Sequence, residues 1–213
     1  MTRRLPLFPL PEVVLLPGTL LPLHVFEPRY RAMVTDALSG DRTIGMTLLS
    51  PGSDPAAPAP PIHRIGTAGE IVEEEKLPDG RFHVLLEARF RFRVIDEEPP
   101  DPYRIARVEE LPTALFREPR EEERHVASAV DLFTDVSRAL ELPPLPRESL
   151  SAERLASELA LRLRYAPAEL QSLLETDSLP SRFEALRARM LEWKSRLLFL
   201  GPFRPKDLDP GRN

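Results

Sequence analysis

Apolar residues recur along this chain with two different periods, and the change between them falls near residue 113. Upstream they come in short runs: 5–8 (LPLF), 13–16 (VVLL), 20–25 (LLPLHV), 43–49 (TIGMTLL), 62–76, 82–97 and 103–111. Runs of this kind, bounded by Pro, Gly and Asp, predict strands, and Pro78-Asp79-Gly80 predicts the turn between the two longest. Their spacing predicts a small sheet or barrel. Residues 50–61 (SPGSDPAAPAPP) read as a flexible proline-rich loop with no core of its own.

Downstream the period becomes helical. Val126, Ala129, Val130, Phe133, Val136 and Leu140 mark one face of a helix over about 119–141, ended by Pro143, Pro144 and Pro146. A second helix over about 152–164 carries Leu155, Leu159 and Leu163. Pro167 and Pro180 then open a third and a fourth, since proline is tolerated at the first helical position. The fourth shows Phe183, Leu186, Met190, Trp193 and Leu197 on one stripe, which reads as a packing seam. Residues 201–213, rich in proline and charge, read as a flexible tail.

One stretch within the first half combines the two periods. In LPLHVFEPRYRAMVTDAL (21–38), a strand-like run meets a helix-like one at Glu27-Pro28. The residue before proline is pushed out of the helical region, and Pro28 pre-sets a first helical φ. Tyr30, Met33, Val34, Ala37 and Leu38 then form an apolar face, and Gly40 sits where a C-cap is wanted. His24, Glu27 and Arg29 crowd together, but a strand–corner–helix unit accounts for every residue, so the corner reads as architecture.

Composition narrows the function classes. The chain has no cysteine, which excludes disulfides, thiol nucleophiles and cysteine-based zinc sites. A net charge of −5 argues against a general nucleic-acid or anionic-membrane binder. Five prolines between residues 6 and 22 interrupt the apolar N-terminus, so neither a signal peptide nor a membrane span is expected. The expected location is the cytoplasm.

No catalytic constellation emerges. His24, His63, His83 and His125 lack the spacing that puts two metal ligands on one helix face, and the serines lack a G-x-S-x-G elbow. Glu73-Glu74-Glu75 and Glu121-Glu122-Glu123 read as solvated faces. No catalytic residue, metal or cofactor is therefore expected. In RFHVLLEARFRFRV (81–94), alternation sends Phe90, Phe92 and Val94 one way and Arg89, Arg91 and Arg93 the other. The aromatics are expected to fill the core, and the arginines to face solvent or pair with acidic neighbours. An RNA platform would want both kinds on one exposed surface.

These residues also carry a family resemblance. The opening LPLFPLPEVVLLPGTLLPLHVFEPRYRAMV is similar to the start of the N-terminal, substrate-binding domain of Lon protease. IGTAGEI (65–71), DGRFHVLLEARFRFRV (79–94) and LQSLLETDSLPSRFEAL (170–186) resemble later motifs of that family, so the likeness covers nearly the whole chain. Ala88 departs from the family's frequent glycine, which puts a bulge there in doubt. The sequence contains no G-x-x-x-x-G-K-[ST] loop and ends at Asn213, as a stand-alone N-terminal domain would.

The resemblance implies an α+β fold: a PUA-like small β-barrel over 1–112, then an α-helical bundle over 113–200. It implies a non-catalytic module whose partners are unfolded or peptide segments of proteins, with a separate protease or ATPase as a further partner. The competing reading is an RNA-binding PUA-like domain, and nucleic acid is the less expected partner. As binding residues the sequence nominates Glu27 and Arg29 at the corner, with the arginine row Arg89, Arg91 and Arg93, because these are polar groups beside an apolar framework.

Overall fold

The computed structural model describes residues 2–54, 57, 59–146 and 150–200. The expected tail, 201–213, and part of the proline-rich loop lie outside them. The first half holds β1 (Thr2–Leu10), β2 (Leu20–Val25), α1 (Pro28–Ser39), β3 (Thr43–Leu48), β4 (Ile65–Lys76), β5 (Phe82–Glu97) and β6 (Arg104–Leu111). The second holds α2 (Pro119–Leu140), α3 (Ala152–Arg162), α4 (Pro167–Glu175) and α5 (Leu179–Leu200). The fold is α+β.

The six strands form one mixed sheet in the order β2-β5-β4-β3-β1-β6, with a further pairing between β5 and β6. The length of β5 makes that further pairing possible. Its first half takes β2 on one side, from Leu20 opposite Glu87 to Val25 opposite Phe82. Its second half takes β6 instead, from Arg91 opposite Leu111 onward. The pairings therefore run β5–β4–β3–β1–β6 and return to β5, which leaves β2, among the described residues, joined only to β5.

Inside this circuit Phe92 is fully buried among Leu5, Leu7, Ala68, Val94 and Val108. It fits because two neighbours have no side chain. A Cβ on Gly66 would lie 2.3 Å from the Met46 carbonyl oxygen and 2.7 Å from Phe92 Cζ, and one on Gly45 would meet Leu5, Leu7 and the same ring. Dense interiors leave no slack for such atoms.

The corner forms as expected. Glu27 is extended (ψ 136°), Pro28 starts α1, and Tyr30, Met33, Val34 and Ala37 are buried. Gly40 caps the helix by donating to the Ala37 carbonyl, but with φ −115°; the left-handed residue is Arg42, φ 60°. Arg42 holds that conformation by donating from its backbone to Ala37 and from Nε to the Ile71 carbonyl.

Four expectations need correction. Residues 13–16 form no strand: Val13 is half-buried, Val14 and Leu16 join the core of the helices, and Leu15 joins that of the sheet. An apolar run buried on both sides looks like a strand whether or not a ladder pairs it. Ile62 lies outside β4, in an isolated bridge to Leu49. The second helix stops at Arg162 because Arg164 turns left-handed, φ 53°. The doubted bulge is present: Gly69 pairs with Ala88 and Ala68 with Phe90, leaving Arg89 as the extra residue.

The helices share one apolar cluster built from Phe133 and Val136 of α2, Leu155 and Leu159 of α3, Leu173 of α4, and Phe183, Leu186 and Met190 of α5. The halves are tied together by directed bonds as well. Ser157 donates to the Pro17 carbonyl at 2.8 Å and Gln171 to the Ile65 carbonyl at 2.9 Å. Ala114 and Leu179 extend the sheet half toward α5 through backbone bonds. Among the described residues no helix is long and apolar enough to cross a membrane.

Candidate functional site

The nominated residues fall in two places. Glu27 and Arg29 face each other at the entrance of α1, Arg29 Nη2 lying 2.9 Å from Glu27 Oε2 with its guanidinium over the Tyr30 ring. Arg89, Arg91 and Arg93 lie beyond the far end of β2, since Leu20 pairs with Glu87 and Val25 with Phe82. The length of β2, about 17 Å at ~3.4 Å per residue, separates the two groups. They do not form one cluster.

Nor is the arginine row uniform. Arg89 is exposed and reaches Glu70 and Glu87, both at 2.8 Å. Arg93 is exposed near Glu109. Arg91, by contrast, is buried: it donates to Asp177 Oδ1 at 2.9 Å and to the Pro112 carbonyl, and its Nε finds no acceptor. Alternation is correct for Arg91 and Arg93, and the junction of α4 and α5 covers their face at Arg91, whereas Arg89, the extra residue of the bulge, turns to Glu70 and Glu87. Next to it Arg182 is buried too, and burial, then the charge of Arg91, bring it down to about 10. Arg91 acts as a rivet between the halves.

The first half of β5, before the bulge, is left open on the face of His83, Leu85 and Glu87. There β2 turns Leu21, Leu23 and Val25 toward the core, with Leu20, Pro22 and His24 outward. Opposite them on β5 stand Glu87, Leu85 and His83. Beyond β5, the run Glu73–Glu75 of β4 pairs with Leu85, Val84 and His83. A concave surface of about 510 Å³ spans these three strands, lined by Pro22, His24, Glu73, Glu75, His83 and Leu85. Its size falls within the ~300–1,000 Å³ typical of ligand clefts.

Its chemistry is divided. Leu20, 52% exposed, and Phe26, 60% exposed, flank the β2 side, and Val72 is exposed on β4. In the middle the His24 and His83 rings stand edge to face with centroids 5.0 Å apart, and His83 Nδ1 lies 3.2 Å from Glu75. On the β4 side Glu74 pairs with Arg42, whereas the Glu73 side chain has no hydrogen bond or ion pair among the described residues. Apolar side chains thus line one bank and carboxylates the other.

The sequence marks this surface only faintly. Leu20, Pro22, His24 and Phe26 alternate at i, i+2, and an apolar residue repeated on the outward set is the signal that could have found it. No nucleophile–base pair lines the surface, and among the described residues no group of three or more His, Asp or Glu could hold a metal ion.

Residues 4–191 match the model of the ATP-dependent protease La (LON) substrate-binding domain. The chain is 32% identical over 188 residues to Lon protease of Dictyoglomus thermophilum, covering 84% of this chain and 23% of that protein. It is 28% identical over 191 residues to Lon protease of Escherichia coli, with 87% and 24% covered. The chain thus spans about a quarter of the length of these curated relatives. Among solved structures, the Lon N-terminal domain protein from Xanthomonas campestris superposes with a TM-score of 0.63 at 28% identity, covering 87% of this chain and 98% of that one. The N-terminal domain of Mycobacterium avium complex Lon protease, at 16% identity and a TM-score of 0.66, shares the fold.

Proposed function

Because this chain belongs to the LON substrate-binding domain family, we propose that it is a non-catalytic module that binds unfolded or extended polypeptide segments on the outer face of β2, β5 and β4. The observation that carries this reading is the apolar strip of Leu20, Pro22, Phe26 and Leu85 left open beside a strand with a free edge. Exposed apolar strips on sheet edges are where extended chains dock, the backbone supplying affinity and alternate side chains supplying selectivity.

In this reading the returning circuit of strand pairings is the small PUA-like barrel, the four later helices are the bundle, and the boundary lies near residues 112–113. Arg91 joins the two rather than meeting ligand. Glu27 and Arg29 border the strip beside Phe26, and Arg89 borders it beside Leu20. A separate protease or ATPase in the cytoplasm is the proposed user of the captured segment.

An RNA-binding role has less support. Arg89, Arg91 and Arg93 are each engaged by a carboxylate, and the open face is bordered by glutamates that repel phosphate.

The test is a fluorescence titration of the purified chain against one model polypeptide in its native and permanently unfolded forms. Selective binding of the unfolded form is expected. Equal binding of both, or of neither, sinks the reading. Salt-sensitive binding of structured RNA, lost on reversing Arg89 and Arg93, would favour the alternative instead.

A further inference from the structure

The two banks of the groove differ in charge, and that difference specifies an occupant. Glu73 and Glu75 stand two residues apart on one strand, so both project to the same face, while Glu74 turns away to Arg42. Among the described residues Glu73 has no cationic partner, and Glu75 meets the imidazole of His83. The arginine closest along β5, Arg89, is already shared by Glu70 and Glu87. Lys76 is drawn to the other side, over the Phe82 ring. The β4 bank therefore presents uncompensated negative charge beside an apolar bank at Pro22 and Leu85.

Resting on the polypeptide-binding reading, we propose that this groove selects segments that combine an apolar residue with a lysine or arginine a few positions away. From β2 to β4 is two interstrand spacings, about 10 Å, which an extended chain crosses in about three residues. A segment laid across the strands places its apolar side chain on Pro22 and Leu85 and its cation between Glu73 and Glu75. A segment with acidic residues at the same spacing meets like charge and is rejected. The apolar contact supplies affinity, and the carboxylates decide which apolar segments are kept.

The experiment uses the whole purified chain and three labelled peptides followed by fluorescence anisotropy: an apolar–lysine peptide, the same peptide with glutamate for lysine, and the same with serine for the apolar residue. A permanently unfolded polypeptide is titrated alongside. At low salt the apolar–lysine peptide is expected to bind at least about tenfold more tightly than its glutamate counterpart. Glu73→Gln with Glu75→Gln is expected to reduce that preference to about twofold while leaving the fold intact, because both side chains are exposed. High salt should reduce it similarly. Equal binding of the lysine and glutamate peptides, with the unfolded polypeptide still bound, overturns the charge selection and leaves the binding reading standing. A preference that survives the double variant moves the selection to another surface and overturns this assignment. Failure of every ligand to bind removes both.

Discussion

Arg91 donates from Nη2 to Oδ1 of Asp177 at 2.9 Å across 86 positions of sequence, and the partners sit in opposite environments. The arginine side chain is 1% exposed and the aspartate 73%. The desolvation cost therefore falls on the guanidinium alone, while the carboxylate keeps most of its water. A buried charge in this arrangement depends on its partner more than the partner depends on it.

Removing the two partners should consequently have unequal effects. Asp177→Ala leaves a buried guanidinium without its carboxylate and is expected to lower stability by about 2–3 kcal/mol. Arg91→Met keeps the volume, removes the charge and relieves Arg182, so it should cost less than about 1 kcal/mol. Urea midpoints of the two variants decide this, and equal losses would contradict it.

Gly66 should tolerate no side chain. A Cβ there would lie 2.3 Å from the Met46 carbonyl oxygen, a backbone atom that cannot swing away. Gly66→Ala is expected to cost about 2–3 kcal/mol by strain in the β3–β4 ladder and around Phe92. A thermal midpoint unchanged from wild type would refute the tight interior described above.

Exposed apolar residues of the groove should behave oppositely. Phe26→Ser, at a position 60% exposed, is expected to leave stability within about 0.5 kcal/mol of wild type. The same change should weaken binding of an unfolded polypeptide at least about threefold if Phe26 flanks the site. Loss of binding without loss of stability, read by titration and calorimetry on one preparation, is the expected pair of results.

Acid should loosen three surface contacts together. A backbone bond from Arg81, helped by its side chain, holds Asp79 below the usual carboxylate range. Hydrogen bonds from Arg4 and Lys194 do the same for Glu98 and Asp135. A carboxyl lowered in the folded state binds its proton more readily when unfolded, so its contribution is present above the unfolded value and disappears as pH falls. Between about pH 5 and pH 3 the thermal midpoint should drop, and less steeply in an Asp79→Asn, Glu98→Gln, Asp135→Asn variant. Because all three are solvent-exposed, added salt should shrink the difference.

How far the fold could be read from sequence differs by element. The bounds of β2 and β5, the α1 stripe and the faces of α2 and α5 follow from local periodicity, because a half-buried element must repeat its apolar residues at its own period. Residues 13–16 show the limit: apolar throughout, they join no strand ladder among the described residues, and no local pattern distinguishes a wedge between two cores from a strand. The nominated arginines show another. Alternation sorted Arg91 and Arg93 onto one face but missed the bulge that sets Arg89 apart, and what covers Arg91 comes from residues 112 and 177.

By itself, then, the sequence determined the two-part order of strands and helices, the strand–corner–helix unit at Glu27-Pro28, and the family likeness, all written in short-range pattern. Only the tertiary structure decided that β5 exchanges β2 for β6 halfway along, and that the junction of α4 and α5 buries Arg91 while Leu85 stays open. The physical reason is that burial is set by whichever distant element packs against a face, and periodicity names the face but not its partner.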